Sequence, residues 1–290
     1  MARGLDHIAH VVRDLDGAAS LYRRLGFLVG ARNRHPPSWG TQNHIIQLPG
    51  TYIELLAVTD PGGIAPHAPR KFSFGAFNRD FLTRGQGLSM LVLEGRGAAD
   101  ADEFRANGIG DFELFKFDRE GKRPDGTPVR LAFELAFASD QGAPDVGFFT
   151  SFQHYPESFW NPAFQIHANT ANGVAGVVLV AQDPGHHASF FRAFTGVNAS
   201  QATPGGFTIK TSRGDVEVVT PAAFVQRFGV SAPDISRGAR LAALRFSVAD
   251  ASLLTSVPGE AGIAGLYAGN ITVIGQDDAM GAVLVFEPSR

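Results

Sequence analysis

One order of elements recurs four times along the chain, and that recurrence limits its fold more than any other feature. An apolar strand, a helix and further strands return at spacings of about seventy to ninety residues, the self-similarity of a chain built from like units. In the first copy, Leu5–Val12 is an apolar run closed by Arg13-Asp14-Leu15-Asp16. Asp16 stands at the expected N-cap of a helix over Gly17–Leu25, where Leu21, Tyr22 and Leu25 share a face before Gly26 stops it. Phe27–Gly30 reads as a short strand, and Asn43–Leu48 and Tyr52–Val58 as two more joined by the Pro49-Gly50 turn. The second copy has strands at Leu88–Leu93, Phe112–Phe117, Val129–Ala138 and Val146–Phe152 and a helix over Ala99–Asn107. The third has Val174–Ala181, a helix over His186–Phe194, Gly206–Ile209 and Asp215–Val219. The fourth has Leu241–Val248, a short helix near Ala251–Ser256, Ile271–Ile274 and Ala282–Phe286.

A unit of this kind cannot cover its own apolar sheet face and must pair with a neighbour. The expected fold is therefore α+β, with tandem βαβββ modules pairing into two half-open barrel domains. At 290 residues the chain exceeds one ordinary core, and the break should fall in the aperiodic stretch Tyr155–Thr170, giving domains over 1–158 and 170–290. With 44% hydrophobic and 18% charged residues the chain has the balance of a globular protein that buries a core. A net charge of −3 leaves no electrostatic footprint for nucleic acid or an anionic membrane. The absence of cysteine excludes thiolate metal sites, disulfides and thiol catalysis. The N-terminus, MARGLDHIAHVV, lacks the apolar core of a secretory signal, and no run is long enough to span a membrane, so a cytoplasmic location is expected. Phosphate-binding loops, dinucleotide fingerprints and nucleophile elbows are missing from the sequence.

Leu5-Asp6-His7-Ile8-Ala9-His10-Val11-Val12, Leu25-Gly26-Phe27, Trp39-Gly40-Thr41-Gln42-Asn43-His44 and Tyr52-Ile53-Glu54-Leu55-Leu56 together resemble the glyoxalase-like branch of the vicinal oxygen chelate superfamily. The likeness is strongest over the first sixty or so residues and rests on topology in the second half. It implies paired βαβββ modules enclosing a divalent metal on which substrates bind through neighbouring oxygens. Paired-module proteins often dimerise, so a homodimer is compatible with it.

His7 and Glu54 stand at positions that resemble the superfamily's first two ligands, and they double as the catalytic candidates. Period-two alternation places His7 with Ala9 and Val11 on one face, and His10 with Ile8 and Val12 on the other. Ser89 stands where the resemblance implies a ligand histidine, and a hydroxyl is a poor substitute. For the remaining ligand the strand end offers Ser151, Gln153 and His154. His154 would complete a two-histidine, one-carboxylate set suited to Fe, Mn, Zn, Ni or Co. Strand parity favours Gln153 instead, and a bulge would reverse the choice. Arg34, His35, Trp39 and Asn43 offer a guanidinium fork, polar groups and an aromatic wall for substrate, joined by Ser89, Ser151 and Gln153. Among the 24 phenylalanines, Phe72, Phe74, Phe77, Phe81, Phe148 and Phe149 could line an apolar pocket, which points to a hydrophobic or aromatic small-molecule substrate. In the third and fourth copies only Glu217 matches Glu54, so the second half is expected to be metal-free, and His186-His187 to be a solvated helix start.

The expected function is that of a metal-dependent enzyme of glyoxalase or dioxygenase type acting on a molecule with vicinal oxygens. The alternative is a metal-free protein that sequesters a small molecule.

Overall fold

A computed structural model of the chain describes residues 2–122, 126–255, 258–259 and 262–289. The first module comprises β1 (Leu5–Val11), α1 (Leu15–Arg24), β2 (Asn33–Arg34), β3 (Thr41–Leu48) and β4 (Thr51–Val58), followed by α2 (Phe74–Leu82). The second comprises β5 (Gly87–Glu94), α3 (Ala98–Ala106), β6 (Phe115–Lys122), β7 (Pro128–Ala138) and β8 (Gly147–Gln153), followed by the short α4 (Pro156–Phe159). The third comprises β9 (Ala171–Val180), α5 (Ala188–Thr195), β10 (Gln201–Thr203), β11 (Gly206–Lys210) and β12 (Asp215–Val219), followed by α6 (Pro221–Phe228). The fourth comprises β13 (Arg240–Val248), a 3-10 turn at Ala251–Thr255, β14 (Gly265–Ala268), β15 (Ile271–Ile274) and β16 (Val283–Pro288); Ser256, expected in that turn, lies outside the described residues.

The paired modules form two curled eight-stranded sheets, β2-β3-β4-β1-β5-β8-β7-β6 and β10-β11-β12-β9-β13-β16-β15-β14. Each module's first strand pairs parallel with its last, and modules join antiparallel through their first strands, β1 with β5 and β9 with β13. The outer faces of both sheets, with α1, α3 and α5 between them, share one apolar core that includes Tyr22, Phe104, Phe194 and Phe246. The inner faces hold separate clusters, one under α2 with Phe74 and Phe81, the other under α6 with Phe224 and Phe228.

Several local expectations are corrected. The N-cap of α1 is Asp14, whose Oδ1 accepts the Gly17 amide at 2.9 Å, so Asp16 lies within the first turn. Phe27–Gly30 forms no strand, because Phe27 and Val29 turn into the core and the edge strand is Asn33–Arg34. Pairing with β7 places β6 at Phe115–Lys122 instead of Phe112–Phe117. The helices α2 and α6, unforeseen, are capped by Ser73 and Thr220, which accept the Ala76 and Ala223 amides. His187 is no solvated residue: it is buried and its Nδ1–H donates to Asp140 at 2.6 Å, tying the two halves together.

The second sheet's inner face is closed by a charge network. Arg245 is 2% exposed and donates to Glu287 at 2.6 and 2.9 Å and to Glu217, which also receives Arg227. Glu217 pairs with Val178 as Glu54 pairs with Ala9, so Gly176 holds the register position of His7. A Cβ on Gly176 would stand 3.1 Å from the Arg245 guanidinium, which fills the space a side chain takes in the first half.

His10 links the sheets: its Nε2–H donates to the Met280 carbonyl at 3.1 Å and its Nδ1 accepts the Tyr22 hydroxyl at 3.0 Å. Both bonds suit the neutral ring, and burial lowers its pKa from 6.5 to about 4. Between those values the unfolded chain binds a proton that the folded chain refuses, so stability falls as pH falls through this window. The contribution lost from pH 7 to 5 is about 2 kcal/mol. Urea unfolding at both pH values should show this loss in the wild type and a smaller one in His10→Gln; equal losses would count against it.

Candidate active site

The inner face of the first sheet opens on a cavity of about 750 Å³ whose floor is made by β1, β3 and β4. Alternation brings His7 from β1, Asn43 from β3 and Glu54 from β4 to that floor, and His35 enters from the preceding loop. Asn43 Nδ2 donates to Glu54 Oε1 at 2.6 Å and lies 3.0 Å from His35 Nε2, while His35 Nδ1 meets Thr41 Oγ1 at 2.8 Å. The other carboxylate oxygen, Oε2, faces His7 Nε2 at 3.9 Å. On its far side the His7 ring donates from Nδ1 to Asp6 Oδ1 at 2.6 Å, and it stacks on Tyr52 at 4.3 Å between centroids. This bond fixes the ring orientation and turns Nε2 toward the cavity. Gln153 supports Asp6 from behind with a 3.4 Å bond from Nε2.

Glu54 is 5% exposed and His7 4%. A buried carboxylate needs partners, and here they are an amide and two imidazoles. Burial lowers the pKa of His35; Glu54 opposes this, while Arg119 and His7 add to it. Tyr52 is pushed well above its ordinary value by burial and by the Asp6 and Glu54 charges.

The other walls are mostly aromatic. Trp39 stacks on Phe74 at 4.5 Å and meets Phe117, while Tyr52 packs on Phe159 and Trp160. Phe133 and Phe149 complete them, beside Ser151 of β8. Of the phenylalanines expected in a pocket, Phe74 and Phe149 reach it. Phe72, Phe77 and Phe81 are packed in the inner cluster, and Phe148 points to the outer core against Phe190.

The expected site residues thus divide. His7, Glu54, His35, Trp39, Asn43 and Ser151 line one cavity. His154 does not join them: with Phe152 it takes the outer face, exposed, 3.4 Å from Glu134. The alternation of β8 holds to its end, so no bulge turns His154 inward. Ser89 does not line the cavity: it sits where the β5 register shifts between Leu88, opposite His10, and Met90, opposite Ala9, and its hydroxyl donates to Asn78 of α2 at 2.8 Å. Arg34 is exposed and outside the cavity; the guanidinium on the wall belongs to Arg119 of β6.

A divalent ion on this floor would have His7 Nε2 and Glu54 Oε2 as donors and would need a third. His35 Nε2 is engaged by Asn43 beside the other oxygen of Glu54. The second module offers Val92 and Phe149 at the facing positions. Among the described residues no group of three or more His, Asp or Glu could hold a metal ion. The residues present do not fit a resident divalent ion.

Tandem βαβββ half-barrels with a polar floor in one of them define a glyoxalase-like architecture. The chain belongs to the glyoxalase-like domain family, whose sequence profile matches residues 5–195, and so to the vicinal oxygen chelate proteins that its first strands resemble. No curated protein sequence matches it. A hypothetical protein from Staphylococcus aureus shares the fold over 100% of both chains, with a TM-score of 0.67 and 13% identity. A mutant 4-hydroxymandelate synthase from Streptomyces coelicolor has a TM-score of 0.55 at 15% identity, over 92% of this chain and 77% of that one. A xylose isomerase-like TIM barrel/4-hydroxyphenylpyruvate dioxygenase fusion protein has a TM-score of 0.56 at 11% identity, over 100% of this chain and 50% of that one. These are likenesses of fold. Among the described residues no helix is long and apolar enough to cross a membrane.

Proposed function

We propose that the cavity is the active site of an enzyme that moves a proton between carbon and oxygen of a small, largely apolar carbonyl compound, without a resident metal. The reading rests on one observation: Glu54 Oε2 and an Asp6-supported His7 Nε2 stand 3.9 Å apart on the floor of a cavity whose walls are mostly aromatic. Glu54 takes a proton from the carbon next to the carbonyl, and protonated His7 gives one to the carbonyl oxygen. The enol formed is then reprotonated on carbon as its hydroxyl proton returns to His7, which restores both groups. Asn43 holds Oε1, so that Oε2 keeps its aim, and a substrate seated between the aromatic walls would displace water from the floor, which strengthens each charge acting there. The fold's presence in 4-hydroxymandelate synthase supports an enzyme at the level of architecture alone.

The test is hydrogen exchange in deuterated water, followed by proton NMR, with chelator-treated protein and phenylacetone as the first of a panel of ketones. Exchange above the uncatalysed rate and unchanged by chelator is expected. Exchange that requires added Fe(II), Mn(II) or Zn(II) would overturn the metal-independent mechanism and restore the metal enzyme expected from the resemblance. Ketone binding without exchange would favour the second reading, a small-molecule-binding protein, for which the aromatic walls also speak.

A further inference from the structure

The cavity wall carries a cation that pairs with no carboxylate among the described residues. In the β6–β7 hairpin, Phe117 pairs with Phe133 and Arg119 with Leu131, and all four face the cavity. The outward cations Lys116 and Arg130 of the same hairpin are matched, Lys116 with Glu134 at 3.2 Å and Arg130 with Asp118. Arg119 has no hydrogen-bond or ion-pair partner among the described residues, and burial lowers its pKa. It is the one Lys or Arg among the described residues that line the cavity. A guanidinium left in an apolar wall is costly until a ligand anion meets it.

We propose that Arg119 is the carboxylate-binding residue of this cavity, which makes the substrate a small aromatic or aliphatic carboxylic acid. A guanidinium offers a planar fork that matches a carboxylate through two parallel hydrogen bonds. One such group balances a single negative charge, whereas a phosphate dianion would call for a second cation. Polarity sets the orientation. The Glu54 carboxylate repels an acid from the floor, so the acid end goes to Arg119, the apolar body lies along Phe117, Phe133 and Trp160, and the other end reaches Glu54 and His7. Arg119 and His35 line the same cavity as Glu54 and His7, so one small molecule in it can meet both ends. The assignment rests on the proposed reading only in taking this cavity as the substrate site.

The test is calorimetric titration of the full chain with 3-phenylpropionate and with its uncharged amide. The wild type should bind the acid more tightly than the amide by about tenfold or more, the size of one charge-assisted pair. Arg119→Met should remove that preference and leave amide affinity in place, which also shows that the cavity has kept its shape, and Arg119→Lys should restore part of it. Equal binding of acid and amide by the wild type, no binding of the acid, or equal weakening of both in Arg119→Met would overturn the proposal. Ketone exchange is read separately. Its failure beside an intact acid preference removes the reaction and keeps the ligand class; an acid preference lost beside intact exchange does the reverse.

Discussion

Glu54→Gln should lower the catalysed exchange rate by about 10²–10⁴-fold, the usual worth of a positioned acid or base. The substitution keeps the shape of the side chain and an oxygen for Asn43 Nδ2, which now stands 2.6 Å from Oε1. Ligand affinity and unfolding temperature should therefore stay near those of the wild type, and the loss should fall on turnover. His7→Asn should produce a loss of similar size, because Asp6 then has no imidazole to hold toward the cavity. If the two groups act on one proton-transfer event, the double variant should be little slower than either single variant. Exchange by Glu54→Gln at the wild-type rate would remove the carboxylate from the mechanism, and losses that multiply in the double variant would separate the roles of the two residues.

Arg245→Met should destabilise the protein by about 3–5 kcal/mol, as expected when one partner is taken from a buried charge network. Glu217 and Glu287, both buried, would face each other across an apolar side chain, and Glu217 alone would keep a cation, the half-exposed Arg227. Replacing Arg245, Glu217 and Glu287 together by Met, Leu and Leu should recover most of that loss, since an apolar set of similar volume leaves no charge to solvate. Urea unfolding of the three proteins measures both effects. Arg245→Met within about 1 kcal/mol of the wild type would show that water or a local shift satisfies the carboxylates. Ligand binding in the first half should survive, because the cavity residues belong to the other sheet.

Much of the fold was legible because a module writes itself in a short stretch of chain. The four apolar first strands, the Leu21, Tyr22 and Leu25 face of the first helix and the Pro49-Gly50 turn are local patterns, and each has its counterpart in the structure. The alternation in Leu5–Val11 separated His7 from His10 correctly: one faces the cavity, the other the Tyr22 hydroxyl and the Met280 carbonyl. In β8 strand parity outweighs the two-histidine, one-carboxylate set, and His154 faces outward. Two further signals lie in the sequence itself. Arg119 falls in the apolar register of Phe115 and Phe117, and Arg245 interrupts Leu241–Val248; a long cation at an inward strand position calls for a partner or a ligand.

Local pattern is enough for the four modules, their pairing into two sheets, and the placement of His7 and Glu54 on neighbouring strands with one face in common. Tertiary structure alone decided which concave face would stay open. Both sheets are apolar on both sides, so alternation marks two faces without saying which one meets α2, α6 or solvent. In the second half, Arg245 reaches from β13 into the gap above Gly176 and closes it; in the first, the apolar Val92 stands across from His7 and Arg119 comes from a distant hairpin. Contacts of that kind join residues far apart in the chain, and their geometry exists only once register, twist and packing have been settled together.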